Sequence, residues 1–188
     1  MSETPNDSPS DTPSDAARDS WRPMREADLA AVEALGNRIH AALPEGAEIY
    51  AERRALFADG AWVAEHRGRL AGYALFHPWR SATPPPLDTL LGRLPEDADV
   101  LYLHDVAVDP LRRSLGLAGA MIASLPARAR ALGLPAIELV AVLGTANFWR
   151  GHGFAALDQA AAGPALAQGL AKALAKYGDG ALLMRREV

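Results

Sequence analysis

The chain has no cysteine in its 188 residues. That excludes disulfides, thiolate metal ligands and a cysteine nucleophile. No apolar run reaches the roughly 18 residues that a membrane helix needs, so no membrane span is expected. The N-terminus lacks the charged-then-apolar pattern of a secretory signal, and a cytoplasmic protein is expected. A strong positive balance is missing too: the net charge is −4. All of it sits in residues 1–20, where Glu3, Asp7, Asp11, Asp15 and Asp19 face one base, Arg18, so the remainder is neutral. A neutral body argues against a nucleic-acid partner. None of the five histidines has zinc-site spacing with a partner, so no metal is expected. No internal repeat is visible.

What is present suits one domain. Nearly half the residues are apolar, and the length suffices for a full core. Residues 1–20 are mostly Ser, Thr, Pro, Asp and Asn, with almost nothing to bury, and are expected to be a disordered acidic tail. The domain is expected over 21–188.

The most informative stretch is Arg113-Ser114-Leu115-Gly116-Leu117-Ala118, because of its flanks. Before it, 99–108 reads as a strand closed by Asp109-Pro110; after it, 117–132 reads as a helix. A strand, a loop with Arg and Gly, and a helix start make an anion site: the first helical amides lack intrahelical partners, and the dipole points its positive end the same way. A Walker loop would need Lys then Ser or Thr after its last Gly, and here Leu117 and Ala118 follow. A dinucleotide fingerprint would need three spaced glycines, and one is present.

The rest of the chain reads as follows. Asp28 suits an N-cap, with Leu29, Val32, Leu35, Ile39 and Leu43 at helical spacing behind it. A second helix is expected over about 47–58, then a hairpin turning at Gly68. Pro84-Pro85-Pro86 excludes helix and central strand, and residues 87–91 are read as one helical turn with its apolar residues folded onto the core. The long 80–98 loop is either functional or a surface excursion. A strand is expected at 135–141, a helix at 158–177 with Ala165, Leu166, Leu170 and Leu174 in a stripe, and a last strand at 181–186. That helix would cover either the domain or a second subunit, leaving a homodimer open.

The Arg-x-x-Gly-x-Ala loop between strand and helix, with Asn147-Phe-Trp149-Arg-Gly-His-Gly153-Phe154 downstream, resembles the Gcn5-related N-acetyltransferase family over about residues 20–157. The resemblance implies an acyl-CoA N-acyltransferase fold: a mixed, mostly antiparallel sheet of the α+β kind, with helices on both faces and the fourth and fifth strands splayed. It implies acetyl-CoA as co-substrate. Arg113, Ser114, Leu115, Gly116, Leu117, Ala118 and Gly119 would hold the pyrophosphate. The backbone of Val106, Ala107 and Val108 would hold the pantetheine, with the Val106 amide facing the thioester carbonyl. Asn147 would bond the pantetheine or cap a helix. The family's usual acid at position 149 is Tyr. Trp149 cannot supply that proton and would pack on the thioester instead; Tyr73 and Tyr102 are possible replacements.

The acceptor amine must lose a proton. His104, in a strand of Leu, Val and Tyr, is the expected base, with a bonded core histidine as the alternative. In a regular strand Asp105 would point to the opposite face, where it would bind a cationic acceptor or cap a helix. Glu45, Glu48, Glu52, Asp88 and Asp105 could draw in a cation, but a solvated face is the preferred reading. His40 and His66 read as surface residues, His77 as near the acceptor, and His152 as a turn residue. The expected reaction is acetyl transfer to a primary amine of a small molecule by direct attack. The alternatives are a non-catalytic acyl-CoA sensor and an enzyme acting on protein lysines or N-termini.

Overall fold

The computed structural model describes residues 20–157 and 164–188. The expected tail, at 1–19, lies outside the described residues, while Ser20 already pairs with Glu65. Seven strands form one sheet: β1 (Ser20–Pro23), β2 (Ala61–His66), β3 (Arg69–Trp79), β4 (Val100–Val108), β5 (Ala136–Ala141), β6 (Ala155–Ala156) and β7 (Leu182–Glu187). Their order is β1-β2-β3-β4-β5-β7-β6. Every pairing is antiparallel except β4 with β5. Among the described residues five α-helices accompany it: α1 (Leu29–Ile39), α2 (Ala47–Leu56), α3 (Leu117–Ala131), α4 (Ala146–Gly151) and α5 (Pro164–Leu174).

Alternation along β3 divides the core between two faces. Tyr73 and Leu75 pack with Val32, Leu35 and Tyr50 of α1 and α2. Ala74 and Phe76 pack with Met121, Ile122 and Leu125 of α3. Burying side chains of this size contributes about 1.5–3 kcal/mol each. The β2–β3 hairpin turns through Arg67 and Gly68, at φ 51° and 71°, the left-handed pair that suits the twist of the strands.

Two irregularities in β4 build the site. First, Leu75 pairs with Asp105 but Phe76 pairs with Leu103, so His104 is an extra, unpaired residue: a β-bulge. Second, β4 and β5 pair only at Leu101↔Ile137 and Tyr102↔Glu138, although the strands run on to Val108 and Ala141. Beyond Tyr102 they splay, and the β4 backbone facing β5 has no ladder partner.

Some expectations are corrected. Asp28 does stand before α1, but its carboxylate does not cap it. It takes the Arg25 amide at 2.7 Å and both Arg22 terminal nitrogens at 2.6 and 2.8 Å, because a bidentate guanidinium outcompetes a single amide. Residues 87–91 form no helical turn, and Leu90 is 55% exposed. The amides of Leu91 and Gly92 donate to the Glu52 carboxylate at 2.7 and 2.8 Å instead of to a helical ladder. The expected 158–177 helix is α5 followed by a tight turn at Ala175–Tyr177; residues 158–163, and the side chains of Ala165 and Leu166, lie outside the described residues. Leu170 and Leu174 are buried against Ala82 and Leu183, so the helix covers its own domain.

Candidate functional site

The splay between β4 and β5 opens into a cavity of about 550 Å³. Val106, Ala107 and Val108 of β4 form one wall; Leu139, Val140 and Val142, on and just past β5, form the other. Arg113 and Ala118 stand at one end. Phe148 and Trp149 of α4 line it. At the opposite end are Ile39, the last residue of α1, and His40, Leu43 and Glu45, between α1 and α2, with Leu87, Tyr102 and Tyr177.

The Arg113 end follows from local sequence. Asp109 caps a tight turn at Pro110–Leu115 by accepting the Leu111 amide at 3.0 Å. Gly116 then reverses the chain at φ 68° and is the N-cap of α3, where among the described residues no side chain caps the helix. The first α3 amides are therefore free to meet an anion. Arg113, Ser114 and Gly116 are exposed, while the Leu117 side chain is buried and its carbonyl accepts the Trp21 indole N–H at 3.0 Å. Gly119 sits in the first turn of α3. Asn147 is the second residue of α4, exposed, and its Oδ1 accepts from Arg150 at 2.7 Å. It is not among the residues lining the cavity, and Thr145, not Asn147, holds the N-cap position. Trp149 meets Phe148 and Phe154 edge-to-face, with ring centroids 5.0 and 5.6 Å apart.

The other end carries two imidazole–carboxylate pairs. His104 Nε2 lies 2.9 Å from Glu45 Oε2, with side chains 3% and 7% exposed. Glu45 Oε1 takes the Asp88 amide at 3.0 Å, and Asp88 in turn takes the Gly46 amide at 2.8 Å. Burial acts to raise the Glu45 carboxyl, but the His104 bond and charge, the Asp88 amide and nearby Arg53 outweigh it and hold it below its ordinary value. The second pair was not foreseen: His40 Nε2 lies 3.2 Å from Asp105 Oδ1. Asp105 Oδ2 accepts the Tyr73 hydroxyl. The Asp105 bond raises His40 against the opposing effect of burial, with the Asp105 and Glu45 charges adding to it.

Asp105 was expected on the opposite face from His104. Both line the cavity, because the bulge inserts His104 out of register. Tyr73 is fully buried and behind Asp105, not on the cavity wall. Burial, with the Asp105 charge, pushes its hydroxyl well above the ordinary value. Tyr102 does line the cavity; its hydroxyl is 3.2 Å from that of Tyr177, and burial raises it strongly.

His40 was read as a surface residue, and is instead a cavity residue at the C-cap of α1. Only the tertiary contact with β4 reveals it. His77 is 1% exposed, its Nε2 has no partner among the described residues, and burial pushes it down to about 3. It stacks near Tyr102 and is not among the lining residues. Glu48 is exposed, and Glu52 fastens the 80–98 loop.

That loop is tied down along its length. Arg53, 3% exposed, donates to the Thr89 carbonyl at 2.9 Å. Buried Glu138 takes the Ser81 hydroxyl at 2.6 Å and the Ala82 amide at 2.9 Å. Tyr177 donates to the Pro85 carbonyl. Leu87 is thereby held as part of the cavity wall.

A family model described as the acetyltransferase (GNAT) family matches residues 22–154. Among solved structures, Rv2747 from Mycobacterium tuberculosis, in complex with CoA and NLQ, is 20% identical at TM-score 0.64, covering 90% of this chain and 99% of its own. The ribosomal-protein-S18-alanine N-acetyltransferase from Escherichia coli is 17% identical at TM-score 0.60, covering 91% and 94%. The GNAT-like decarboxylase GphF, in complex with isobutyryl-CoA, is 20% identical at TM-score 0.67, covering 89% and 98%. At these identities the likeness is one of fold. No curated protein matches the sequence. Among the described residues no helix is long and apolar enough to cross a membrane.

Proposed function

The chain belongs to the GNAT family of acetyltransferases, and from that premise we propose that it transfers an acetyl group from acetyl-CoA to a primary amine of a small molecule. The attack is direct, within a ternary complex, since no cysteine exists to carry the acyl group. One observation carries this reading. A single cavity joins a free helix N-terminus beside Arg113 to a walled end holding the His104–Glu45 pair.

The residues fit acetyl-CoA in kind. Arg113 and the amides of 114–119 suit a pyrophosphate. The unladdered β4 backbone at Val106–Val108 suits amides that pair like a strand. Acetyl-CoA, when bound, supplies the thioester. The Val106 amide is assigned to its carbonyl, where a donor stabilises developing charge. With Nε2 engaged by Glu45, His104 keeps Nδ1 to accept a proton from the amine. Glu45 fixes the ring and stabilises its charged form. Asp105 is assigned to the acceptor side with His40, and Tyr73 to holding Asp105. Trp149 shapes the cavity through packing, and thiolate departure is left to water, which suits a leaving group of thiol-like pKa. Asn147, bonded to Arg150 outside the cavity wall, is left without a part in this scheme.

The tied 80–98 loop favours a small acceptor over a peptide, which needs an open groove. Trp149 in place of a tyrosine favours a second reading, a non-catalytic acyl-CoA sensor. Release of free thiol from acetyl-CoA decides: turnover with small primary amines, and not with lysine peptides, supports the first. Saturable binding with no thiol release across the panel supports the second.

A further inference from the structure

His104 and Glu45 account for one proton acceptor. The second imidazole–carboxylate pair, on the acceptor side of the same cavity, carries no proton in that scheme, yet it is just as firmly held. Asp105 is fixed from behind by the Tyr73 hydroxyl, and Tyr73 packs edge-to-face on Tyr50 at 5.8 Å. The carboxylate's other oxygen reaches forward to His40 Nε2. With that nitrogen engaged, Nδ1 keeps its lone pair. The His40 side chain is 27% exposed against 3% for His104, so one imidazole sits at the wet margin of the cavity and the other deep inside it.

The chemistry asks for two transfers at nitrogen. An amine arrives as an ammonium ion. It must lose one proton to gain a lone pair and, after attack, a second to become a neutral amide. Of the two, the second returns from His104 through water to the departing sulfur, and the first leaves to solvent. A single buried imidazole would have to discharge between the two.

Resting on the amine-acetylation reading above, we propose that His40 is a second proton acceptor, which takes the first proton from the entering ammonium while His104 takes the second. The ammonium N–H breaks, the proton passes to His40 Nδ1, and the imidazolium bonded to Asp105 releases it to bulk water at the cavity margin. The charged groups that act on the ring are Asp105 of β4 and Glu45 ahead of α2; Tyr73 of β3 and Tyr50 of α2 stand behind Asp105, and His104 lines the same cavity. Arg38, on the same helix, is turned to Asp109 at 3.1 Å. The two carboxylates raise His40, which narrows the gap to an alkylammonium.

The test compares wild type, His40→Gln and Asp105→Asn in kcat/KM for the amine against pH. Gln keeps a donor for Asp105 and cannot titrate. The acid limb of the wild type falls with a slope of two protons. In His40→Gln it falls with a slope of one, and kcat/KM near neutral pH drops at least about tenfold, with KM for acetyl-CoA unchanged. NMR titration of the imidazoles gives a readout independent of turnover: the His40 resonance titrates above the free value in the wild type and returns toward it in Asp105→Asn. A wild-type profile whose acid limb and rate are unchanged in His40→Gln would overturn the assignment of His40 alone. A His40 resonance that Asp105→Asn does not move would do the same. A wild type that acetylates no amine overturns this inference together with the reading beneath it.

Discussion

His104 and Asp105 are neighbours in the chain, yet both line one cavity. A regular strand would send them to opposite faces. The unpaired position of His104 opposite the Leu75–Phe76 step removes that constraint, and each side chain finds a partner from the segment around the end of α1: Glu45 for His104, His40 for Asp105. The site is thus a consequence of one extra residue in β4.

His104→Gln is expected to lower kcat for acetyl transfer by about 10²–10⁴-fold, the usual contribution of a positioned general base. Acetyl-CoA affinity should change little, since the Arg113 end is untouched. Steady-state kinetics with isothermal titration separates the two. A variant that retains wild-type kcat removes His104 from the chemistry.

Much of this was legible in the chain. Arg113, Gly116 and the helix start are contiguous, so the strand–turn–helix arrangement could be read from neighbours alone. The strands and the hairpin at Gly68 follow from alternation and turn chemistry. What could not be read depends on contacts far apart in sequence. Glu45 and His104 are 59 residues apart, and His40 and Asp105 are 65 apart. His40 ends a helix in a polar setting and carries no local sign of its partner. The 80–98 loop was equally opaque, because its amides are satisfied by Glu45, Glu52 and Glu138 from other elements rather than by its own backbone.

Two glycines should respond in opposite ways. Gly116→Ala puts a side chain at φ 68°, where a Cβ meets no atom within 4 Å. Its cost is conformational alone, about 1–2 kcal/mol, and is read as weaker acetyl-CoA binding and a lower Tm. Gly36→Ala has a normal helical φ, but its Cβ would lie 2.7 Å from the Tyr73 hydroxyl and still nearer that of Tyr50. It should disturb the support of Asp105 and lower kcat while leaving acetyl-CoA affinity alone. Calorimetry and kinetics on the two variants check this crossing of effects.

Glu52→Ala should free residues 88–92. The carboxylate accepts two loop amides and the Arg53 guanidinium; bonds to a charged group are worth about 1.5–3 kcal/mol each. Faster amide exchange at Leu91 and Gly92, with a raised KM for the amine and an unchanged KM for acetyl-CoA, is the expected result. Unchanged exchange would show that the remaining ties suffice.

Stability should fall on the acid side partly through Glu45. Its carboxyl is held below the ordinary 4.5 despite burial, chiefly by the bond to His104. A lowered carboxyl stabilises the fold above its unfolded value and loses that contribution as pH drops through the folded one. Urea unfolding should therefore show Glu45→Gln less stable than wild type at pH 7. The difference should shrink as pH is lowered below 4.5. A gap independent of pH would mean that shape, not charge, accounts for the loss.

The most direct measurement is calorimetric titration of the wild-type protein with acetyl-CoA. Saturable one-to-one binding, weakened in Gly116→Ala and in Arg113→Ala, is the predicted result. No heat with acetyl-CoA or any other CoA thioester would contradict it, and the cleft between β4 and β5 would then have another occupant.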